Sequence, residues 1–168
     1  MLDISEIVGT SWDASEIWLP ADLADMKGES SALLANANQL LRHKDNYLAF
    51  IDYRLFEYAD SDSSSERFRI QKQTIFYDLN SAYKWETLDI QQYTPGADGI
   101  HAACKDIKGE NVEQDTRCAL ILRYDRFIVY MNIWRIRDNQ EYLSMETIFA
   151  ILRRVNAKSE EALLAKLN

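Results

Sequence analysis

A pair of cysteines, Cys104 and Cys118, places the strongest constraint on how this chain can fold. The segment between them is mostly polar and contains Gly109 and Asn111, whereas hydrophobic runs flank it on both sides. If the flanks form a β-hairpin that turns near Asn111, the two cysteines lie opposite each other. Their Cβ atoms would then be about 3.5–4.5 Å apart, as a disulfide requires. The pattern therefore predicts an antiparallel hairpin that a Cys104–Cys118 disulfide can close.

The predicted disulfide bears on the compartment in which the protein works. Disulfides persist in the periplasm and at cell surfaces and are rare in the cytosol, so the pair favours an extracytoplasmic location. The first residues, Met1 to Glu6, show no basic region followed by an apolar stretch, which an export signal would have. Two explanations stay open: a cytosolic protein, or an exported one whose signal or membrane anchor has been removed. The cysteine geometry favours the second.

Length and charge narrow the class of protein. The chain has 168 residues, 47% of them hydrophobic, which is enough for the core of one ordinary domain. Its formal net charge of −8 disfavours nucleic-acid binding, because phosphate contacts need a clustered basic surface. The acidic balance mainly supports solubility, and it fits a cationic ligand or a basic partner. The chain contains no apolar run of the length that a transmembrane helix needs.

Residues 1–29 are interpreted as an N-terminal arm, followed by a single α+β domain over residues 30–168. The arm contains Trp12 and Trp18, and its apolar residues follow neither a helical nor a strand period. We expect the arm to pack on the domain through these two tryptophans. If the arm is exposed, it becomes a docking element, since exposed apolar patches usually mark interaction sites.

The first half of the domain is predicted as a helix followed by two strands. Leucines and alanines recur at helical spacing between Ser30 and His43, which predicts a helix. Residues 46–58 are rich in aromatic and β-branched side chains, which favours a strand. Residues 59–66 are predicted as a solvated turn. Apolar and polar residues alternate over 67–76, which predicts a half-buried strand that forms a hairpin with the first.

The second half is predicted as a helix, three strands and a long helix. The first helix begins at Asp78 or Ser81 and ends near Leu88, and a turn rich in Gly and Pro follows over 94–99. The strands are expected near 100–107, 116–123 and 127–136, with a tight link at 124–126 between the last two.

The final helix is predicted to begin after Ser144, which is a favoured N-cap residue. Ser159 is expected to open a last short helix. The predicted fold is therefore α+β, with a largely antiparallel five-stranded sheet and helices packed on one face. The order of elements is helix-β-β-α-β-β-β-α, because strands joined by short turns pair antiparallel.

Four sequence elements within residues 45–157 match a known class of domain. They are the helix start Asp78-Leu79-Asn80-Ser81-Ala82, the turn Pro95-Gly96-Ala97-Asp98, the strand pair around Arg123-Tyr124-Asp125-Arg126-Phe127-Ile128-Val129, and the helix start Ser144-Met145-Glu146. Together they resemble the small α+β extracytoplasmic domains of bacterial lipoproteins and of some receptor-kinase sensor modules. The resemblance implies an exported domain that binds a ligand or a partner and is not an enzyme. One departure is the single cysteine pair, since kinase sensor modules of this kind tend to have more cysteines.

Few residues could carry catalysis. The only histidines are His43 and His101, and His43 lies between two cations at the predicted end of a helix, where a protonated imidazole is favourable. His101 lies three residues before Cys104, so in a strand the two side chains point to opposite faces. They therefore cannot jointly activate a thiolate or share a metal without a bulge.

No known nucleophile, phosphate-binding or metal motif is present in the sequence. The run that begins at Asp60 resembles the start of a calcium loop, but Ser65 and Gln71 stand where Gly and Glu are required. The sequence therefore predicts no catalytic residue, no metal site and no cofactor.

Aromatic residues on the predicted strands are the remaining candidate site. If several share a sheet face that no helix covers, they form a platform for a ligand or a partner protein. We hypothesise that Tyr53, Tyr130 and Trp134 line this surface, with Trp12 and Trp18 of the arm as further contacts. The alternative is that these aromatic side chains are ordinary core residues.

The sequence favours an exported, non-enzymatic binding or sensor-like domain that contacts a partner protein or a small ligand. A peripheral subunit of a membrane complex fits the same description. The alternative is a cytosolic acidic interaction protein, such as a toxin-neutralising immunity protein whose carboxylates meet a basic partner. An enzyme that uses carboxylates alone is a third possibility, which a deep acidic cleft would support.

Overall fold

The structure, a computed structural model, describes residues 5–8, 11–15, 32–77, 84–109, 112–134 and 143–167. Within these ranges the chain forms an α+β fold with a seven-stranded antiparallel sheet, two more strands than predicted. The strands are β1 (Trp12–Ala14), β2 (Leu33–His43), β3 (Asn46–Tyr58), β4 (Glu86–Thr87), β5 (Gly99–Gly109), β6 (Val112–Tyr124) and β7 (Phe127–Trp134). The helices are α1 (Ser5–Val8), α2 (Ser61–Phe76) and α3 (Met145–Leu167). None of the helices in the described ranges is long and apolar enough to cross a membrane.

The sheet is built from two runs of neighbouring strands that meet in its middle. The spatial order is β1-β2-β3-β7-β6-β5-β4. The strands β1 to β3 follow one another along one half, and β4 to β7 follow one another along the other half. The halves join where β3 pairs with β7, from Phe50 opposite Trp134 to Glu57 opposite Phe127.

The two long helices lie on opposite faces of the sheet, so the prediction of helices on one face is wrong. Apolar residues of α3, such as Ile148 and Leu152, join one core with alternate strand residues. We call this side the closed face. Its fully buried strand residues include Leu41, Ile51, Cys118, Leu120, Leu122, Met131 and Ile133.

The opposite side of the sheet, which carries α2, is called the open face. Phe68 and Phe76 of α2 pack there against a smaller cluster of buried strand residues. The cluster consists of Leu33, Phe56, Tyr58, Ile121 and Ile128. Because side chains alternate along a strand, β6 and β7 supply both faces at once and are buried on both.

Residues 33–43 form the strand β2 rather than the predicted helix. Along the strand the side chains of Ala37, Gln39, Leu41 and His43 are buried at every second position, which is the period of a strand. Two of these four positions carry polar residues, and register shifts near Leu33 and between Arg42 and His43 interrupt the pairing. A hydrophobic pattern with two polar gaps and two irregularities therefore fitted the helical period by chance.

Residues 61–76 form the helix α2, so the predicted turn over 59–66 and the strand over 67–76 are both wrong. The Asp60 side chain accepts a hydrogen bond from the Ser63 backbone N–H at 2.7 Å, which caps the helix. The inward positions of α2 include the polar residues Ser64, Arg67 and Gln71. Because polar residues occupy these inward positions, the apolar residues do not show the period of a helix. Taken alone, they alternate as in a strand.

The predicted helix over 78–88 falls partly on residues 78–83, which lie outside the described ranges. The rest of it is wrong, because Trp85 has no regular structure and Glu86–Thr87 form the strand β4. The edge strand β4 pairs with β5 through Glu86 opposite Cys104.

Several other elements confirm the sequence predictions. Residues 46–58 are the strand β3, and the three later strands lie near their predicted positions, with residues 135–136 outside the described ranges. The tight link between β6 and β7 contains Asp125 in the left-handed region, with φ of 50°. Ser144 caps α3 by accepting a hydrogen bond from the Thr147 N–H at 3.1 Å. However, α3 continues through Ser159, so no separate short helix begins there.

Candidate binding face

One row of side chains that crosses the open face consists of aromatic and cationic residues. Five strands contribute one residue each, and each residue is the direct cross-strand partner of the next. Direct partners in an antiparallel sheet share a face and lie about 4.5–5.5 Å apart. We call these five residues the mixed row. In spatial order it consists of Arg42, Phe50, Trp134, Arg117 and Lys105.

The mixed row lies beyond the part of the sheet that α2 covers. The helix ends at Phe76, whose ring contacts His101 with ring centroids 4.3 Å apart. Lys105 is four residues further along the same strand, which corresponds to about 13 Å of extended chain. In consequence, Phe50, Trp134, Arg117 and Lys105 are half-buried rather than buried.

Arg117 lies between Trp134 and Lys105 in the row and is held from several sides. Its guanidinium carbon lies 5.4 Å from the ring centre of Trp134 and 5.5 Å from that of Trp85. Its Nε atom donates a hydrogen bond to Asn132 Oδ1 at 2.8 Å. A guanidinium over two indole faces is favourable, because each ring presents its negative face to the cation. The contacts therefore fix the position of a charged group that water still reaches.

Trp85 and Phe50 complete the aromatic part of the site. Trp85 precedes β4 and lies against Lys105, whose Nζ atom is 4.7 Å from the centre of the indole ring. Phe76 of α2 packs edge-on against Trp85, with ring centroids 5.1 Å apart. On the other side of the row, Phe50 stacks on Trp134 at 5.8 Å with an angle of 27° between the ring planes.

A second layer of polar groups lies between the mixed row and α2. Asp52 forms an ion pair with Arg54 at 2.6 Å, and both lie on the open face. Burial raises the pKa of the Tyr130 hydroxyl, and the positive charge of Arg117 and a hydrogen bond with it partly offset that effect. Tyr130 therefore stays protonated at neutral pH and accepts or donates hydrogen bonds as a neutral group.

The predicted cysteine pair lies directly behind the mixed row. Cys104 and Cys118 are opposite each other in the hairpin, as predicted, and their Cα atoms are 4.0 Å apart with the sulfur atoms at bonding distance. Cys104 precedes Lys105 and Cys118 follows Arg117, so the cross-link joins the two strands next to the two cations. The disulfide lies on the closed face and the cations on the open face.

The structure separates the five residues proposed from the sequence as a binding surface. Tyr130 and Trp134 lie on the open face and are half-buried, whereas Tyr53 is 2% exposed and belongs to the closed face. Trp12 is also buried, with its ring against His43 at 5.4 Å. Trp18 lies outside the described residues. Tyr53 and Trp12 are therefore core residues, and only two of the five lie together.

Sequence reasoning missed the cationic members of the row and Trp85. Arg117 and Lys105 are separated along the chain from Trp134 and Phe50, and only the strand register brings them together. One signal was present: both cations are immediate neighbours of the cysteines, so a prediction of the hairpin register already places them side by side. Trp85 gave no such signal, because it was assigned to a helix.

The two histidines lie apart and pack against other side chains, so they do not form a common catalytic or metal site. His43 is buried in β2, and its Nδ1 atom accepts a hydrogen bond from the Asp45 N–H at 3.2 Å, so its predicted position at a helix end is wrong. His101 lies on the open face, opposite in direction to Cys104, as predicted. Burial, and then the charge of Lys72, lower the pKa of His101. Among the described residues no group of three potential metal ligands is clustered.

The sequence matches no protein-family model and no curated protein. The fold is similar to that of the extracellular domain of PknH, a receptor kinase of Mycobacterium tuberculosis, with a TM-score of 0.63. The two chains are 13% identical, and the similarity covers 96% of this chain and 93% of the other. At this identity the likeness shows the fold alone. It agrees at that level with the resemblance to receptor-kinase sensor modules inferred from the sequence.

Proposed function

We propose that the chain is an exported, non-enzymatic binding domain of sensor-like type whose open face contacts a partner protein or a small ligand. The observation that carries this proposal is the mixed row. It places aromatic rings and a fixed guanidinium at a half-exposed position beyond the end of α2. Tryptophan, tyrosine and arginine are the residues most enriched where binding energy concentrates in protein interfaces.

Two further observations support the location and the absence of catalysis. A cross-strand disulfide is stable in an oxidising compartment, which fits the periplasm or the cell surface. The fold is similar to that of a domain described as extracellular. His101 and Cys104, which lie three residues apart in β5, point to opposite faces and form no nucleophile–base pair.

The location is tested by the intact mass of denatured protein from the native host, measured without reductant. A mass two hydrogens below that of the thiol form, in protein recovered from the periplasm or the surface, supports the proposal. Free thiols in protein recovered from the cytosol contradict it and favour the cytosolic, immunity-type alternative.

The binding face is tested by photo-cross-linking from two exposed positions. Leu48 is 47% exposed and lies on the same face of β3 as Phe50, two residues away. Ile70 is 36% exposed on the outside of α2 and serves as the matched control. With benzoylphenylalanine at each position in the native host, we expect a discrete cross-linked product from position 48 only. Equal products from both positions, or none from position 48, contradict a binding role for the open face.

A further inference from the structure

Arg117 differs from three other arginines of the chain in the groups that contact it. Arg54, Arg69 and Arg126 each have a carboxylate oxygen within 2.7 Å. Among the described residues no carboxylate forms an ion pair with Arg117. Its hydrogen bonds go instead to neutral groups, the Asn132 side-chain oxygen and the Tyr130 hydroxyl.

A half-buried cation held only by neutral groups retains its full charge. The indole rings of Trp85 and Trp134 stabilise the guanidinium without neutralising it, since their attraction comes from the ring quadrupole. Arginine carries five N–H donors in a planar fork, and Asn132 and Tyr130 account for only part of them. That fork matches the two oxygens of a carboxylate in geometry and in charge.

The charge along the mixed row points to an anionic occupant. Arg42, Arg117 and Lys105 stand in the row, and the next residue across the sheet, Asp13 of β1 opposite Arg42, forms an ion pair with Lys44. The nearest carboxylate on the same face in β3, Asp52, forms an ion pair with Arg54. The net charge of −8 for the whole chain favours a cationic ligand. The cations of the mixed row instead favour an anionic ligand at this position.

The shape of the row favours an extended protein segment as the occupant. The row crosses five strands, so its ends are about 19 Å apart at the usual strand spacing. It lies on the surface of a sheet, whereas small ligands usually sit in clefts that bury most of their area. Flat surfaces that combine tryptophan, tyrosine and arginine are typical of protein interfaces.

We propose that the mixed row binds an acidic segment of a partner protein, with one carboxylate against the Arg117 guanidinium and apolar groups against Trp134 and Phe50. This inference rests on the proposed binding function and names the chemistry of the partner. Binding of this kind should weaken with salt, because the Arg117 site is partly open to solvent.

Poly-L-glutamate is the probe for this inference, with polygalacturonate as the saccharide that carries the same charged group. Binding is followed through the indole N–H signals of uniformly labelled protein at low salt. We expect poly-L-glutamate to bind and Arg117→Gln to weaken it at least about tenfold, as expected for loss of a charge-assisted hydrogen bond. Arg153→Gln is the matched control, because Arg153 lies 4.9 Å from the ring centre of Tyr93 in an equivalent contact near α3. This control should change the affinity less than about twofold.

Three outcomes overturn the inference. They are equal weakening by both substitutions, tighter binding of polygalacturonate than of poly-L-glutamate, and no binding of poly-L-glutamate. Arg117→Lys keeps the charge but removes the fork, and partial binding by this variant supports a bidentate carboxylate contact. Thermal unfolding of each variant identifies any that fails to fold.

The same variants separate this inference from the proposed function. If Arg117→Gln leaves the cross-linked product from position 48 unchanged, the open face binds a partner but not through an acidic segment. If position 48 gives no product in the unsubstituted chain, the proposed function itself fails.

Discussion

The two faces of the sheet are built from the same strands but differ in what covers them. The closed face is mostly apolar and packs against α3, with residues such as Leu120 and Ile133 fully buried. The open face is apolar only beneath α2, and beyond the helix it carries cations between aromatic rings. The difference teaches that adjacent residues of one strand can have separate surroundings: one is buried in the core, and its neighbour on the other face stays partly exposed.

Ile133 and Trp134 give the most direct test of this division, because they are neighbours in β7 that point to opposite faces. Ile133→Ala should lower the free energy of unfolding by about 3.5 kcal/mol, the middle of the range for a buried isoleucine. Trp134→Ala should cost about 1–2 kcal/mol, since a half-exposed side chain leaves only part of its contacts behind. Urea unfolding of both variants measures the two values.

The binding readout of the same two variants completes the comparison. Trp134→Ala should abolish the cross-linked product from position 48, whereas Ile133→Ala should retain it at temperatures where the variant is folded. If Trp134→Ala loses its fold together with binding, Trp134 is a core residue and the division between the faces is wrong at this strand.

The disulfide links the two faces, and its removal should affect both. Replacing Cys104 and Cys118 with alanine should cost about 3 kcal/mol, the value for a closed loop of about 15 residues. The separation of the two cysteines along the chain is 14. Poly-L-glutamate binding should also weaken, because the cross-link fixes the strands that carry Lys105 and Arg117. Unchanged binding in the double variant would show that strand pairing alone holds the two cations.

Ser144 caps the helix of the closed face with an uncharged side chain. Ser144→Ala removes the acceptor for the Thr147 N–H and should lower the free energy of unfolding by about 1 kcal/mol. The loss should be the same from pH 3 to pH 7, because a serine hydroxyl does not titrate in this range. A loss that varies with pH in urea unfolding would point to a coupled carboxylate instead.

Asp60 caps the helix of the open face with a charged side chain, so its contribution should depend on pH. The hydrogen bond from the Ser63 backbone N–H is the largest cause that lowers the pKa of Asp60 below its usual value of 3.8. Because the folded-state pKa is lowered, the contribution is present above pH 3.8 and is lost as the pH falls below that value. Asp60→Asn keeps a capping side chain that does not titrate, so its stability should not show this loss at acidic pH. Melting temperatures of both proteins between pH 2 and pH 5 measure the difference.

His101 should show the smallest effect of the series. Burial is the main cause of its lowered pKa, and the charge of Lys72 adds to it. The imidazole is therefore held neutral in the folded state, and its contribution to stability is lost as the pH falls below its usual pKa of 6.5. Lys72→Gln should raise the pKa of His101 part of the way toward 6.5, as measured by NMR titration. No change would show that burial alone sets the value.

The sequence predicted those elements in which apolar residues occupy most buried positions. The strand β3 is rich in aromatic and β-branched residues, and the strands after Gly99 are bounded by clear turn residues. The prediction of secondary structure failed where polar residues occupy buried positions of a strand or helix. Gln39 and His43 are buried in β2, and Ser64 is buried in α2, so the hydrophobic pattern alone gave the wrong period for both elements.

The candidate site could also be predicted only in part. The reason here is that local sequence does not show which residues share a face of the sheet. Trp134 and Tyr130 were found because aromatic residues on strands are conspicuous. Tyr53 was grouped with them wrongly, because a list of aromatic residues does not tell which face each one takes. Arg117 became a candidate only through the cross-strand register, which follows from pairings between distant segments of the chain.

The central pairing of β3 with β7 determines the stage of folding at which the mixed row can be completed. The strand pairs β2–β3, β5–β6 and β6–β7 close over short stretches of chain, whereas β3 and β7 come from distant parts of it, so we expect β3 and β7 to pair later. Phe50 belongs to one half and Trp134 to the other, so neither half carries the mixed row alone. We therefore expect the mixed row to be completed only when this central pairing forms, and stacking of Phe50 on Trp134 to report that stage of folding.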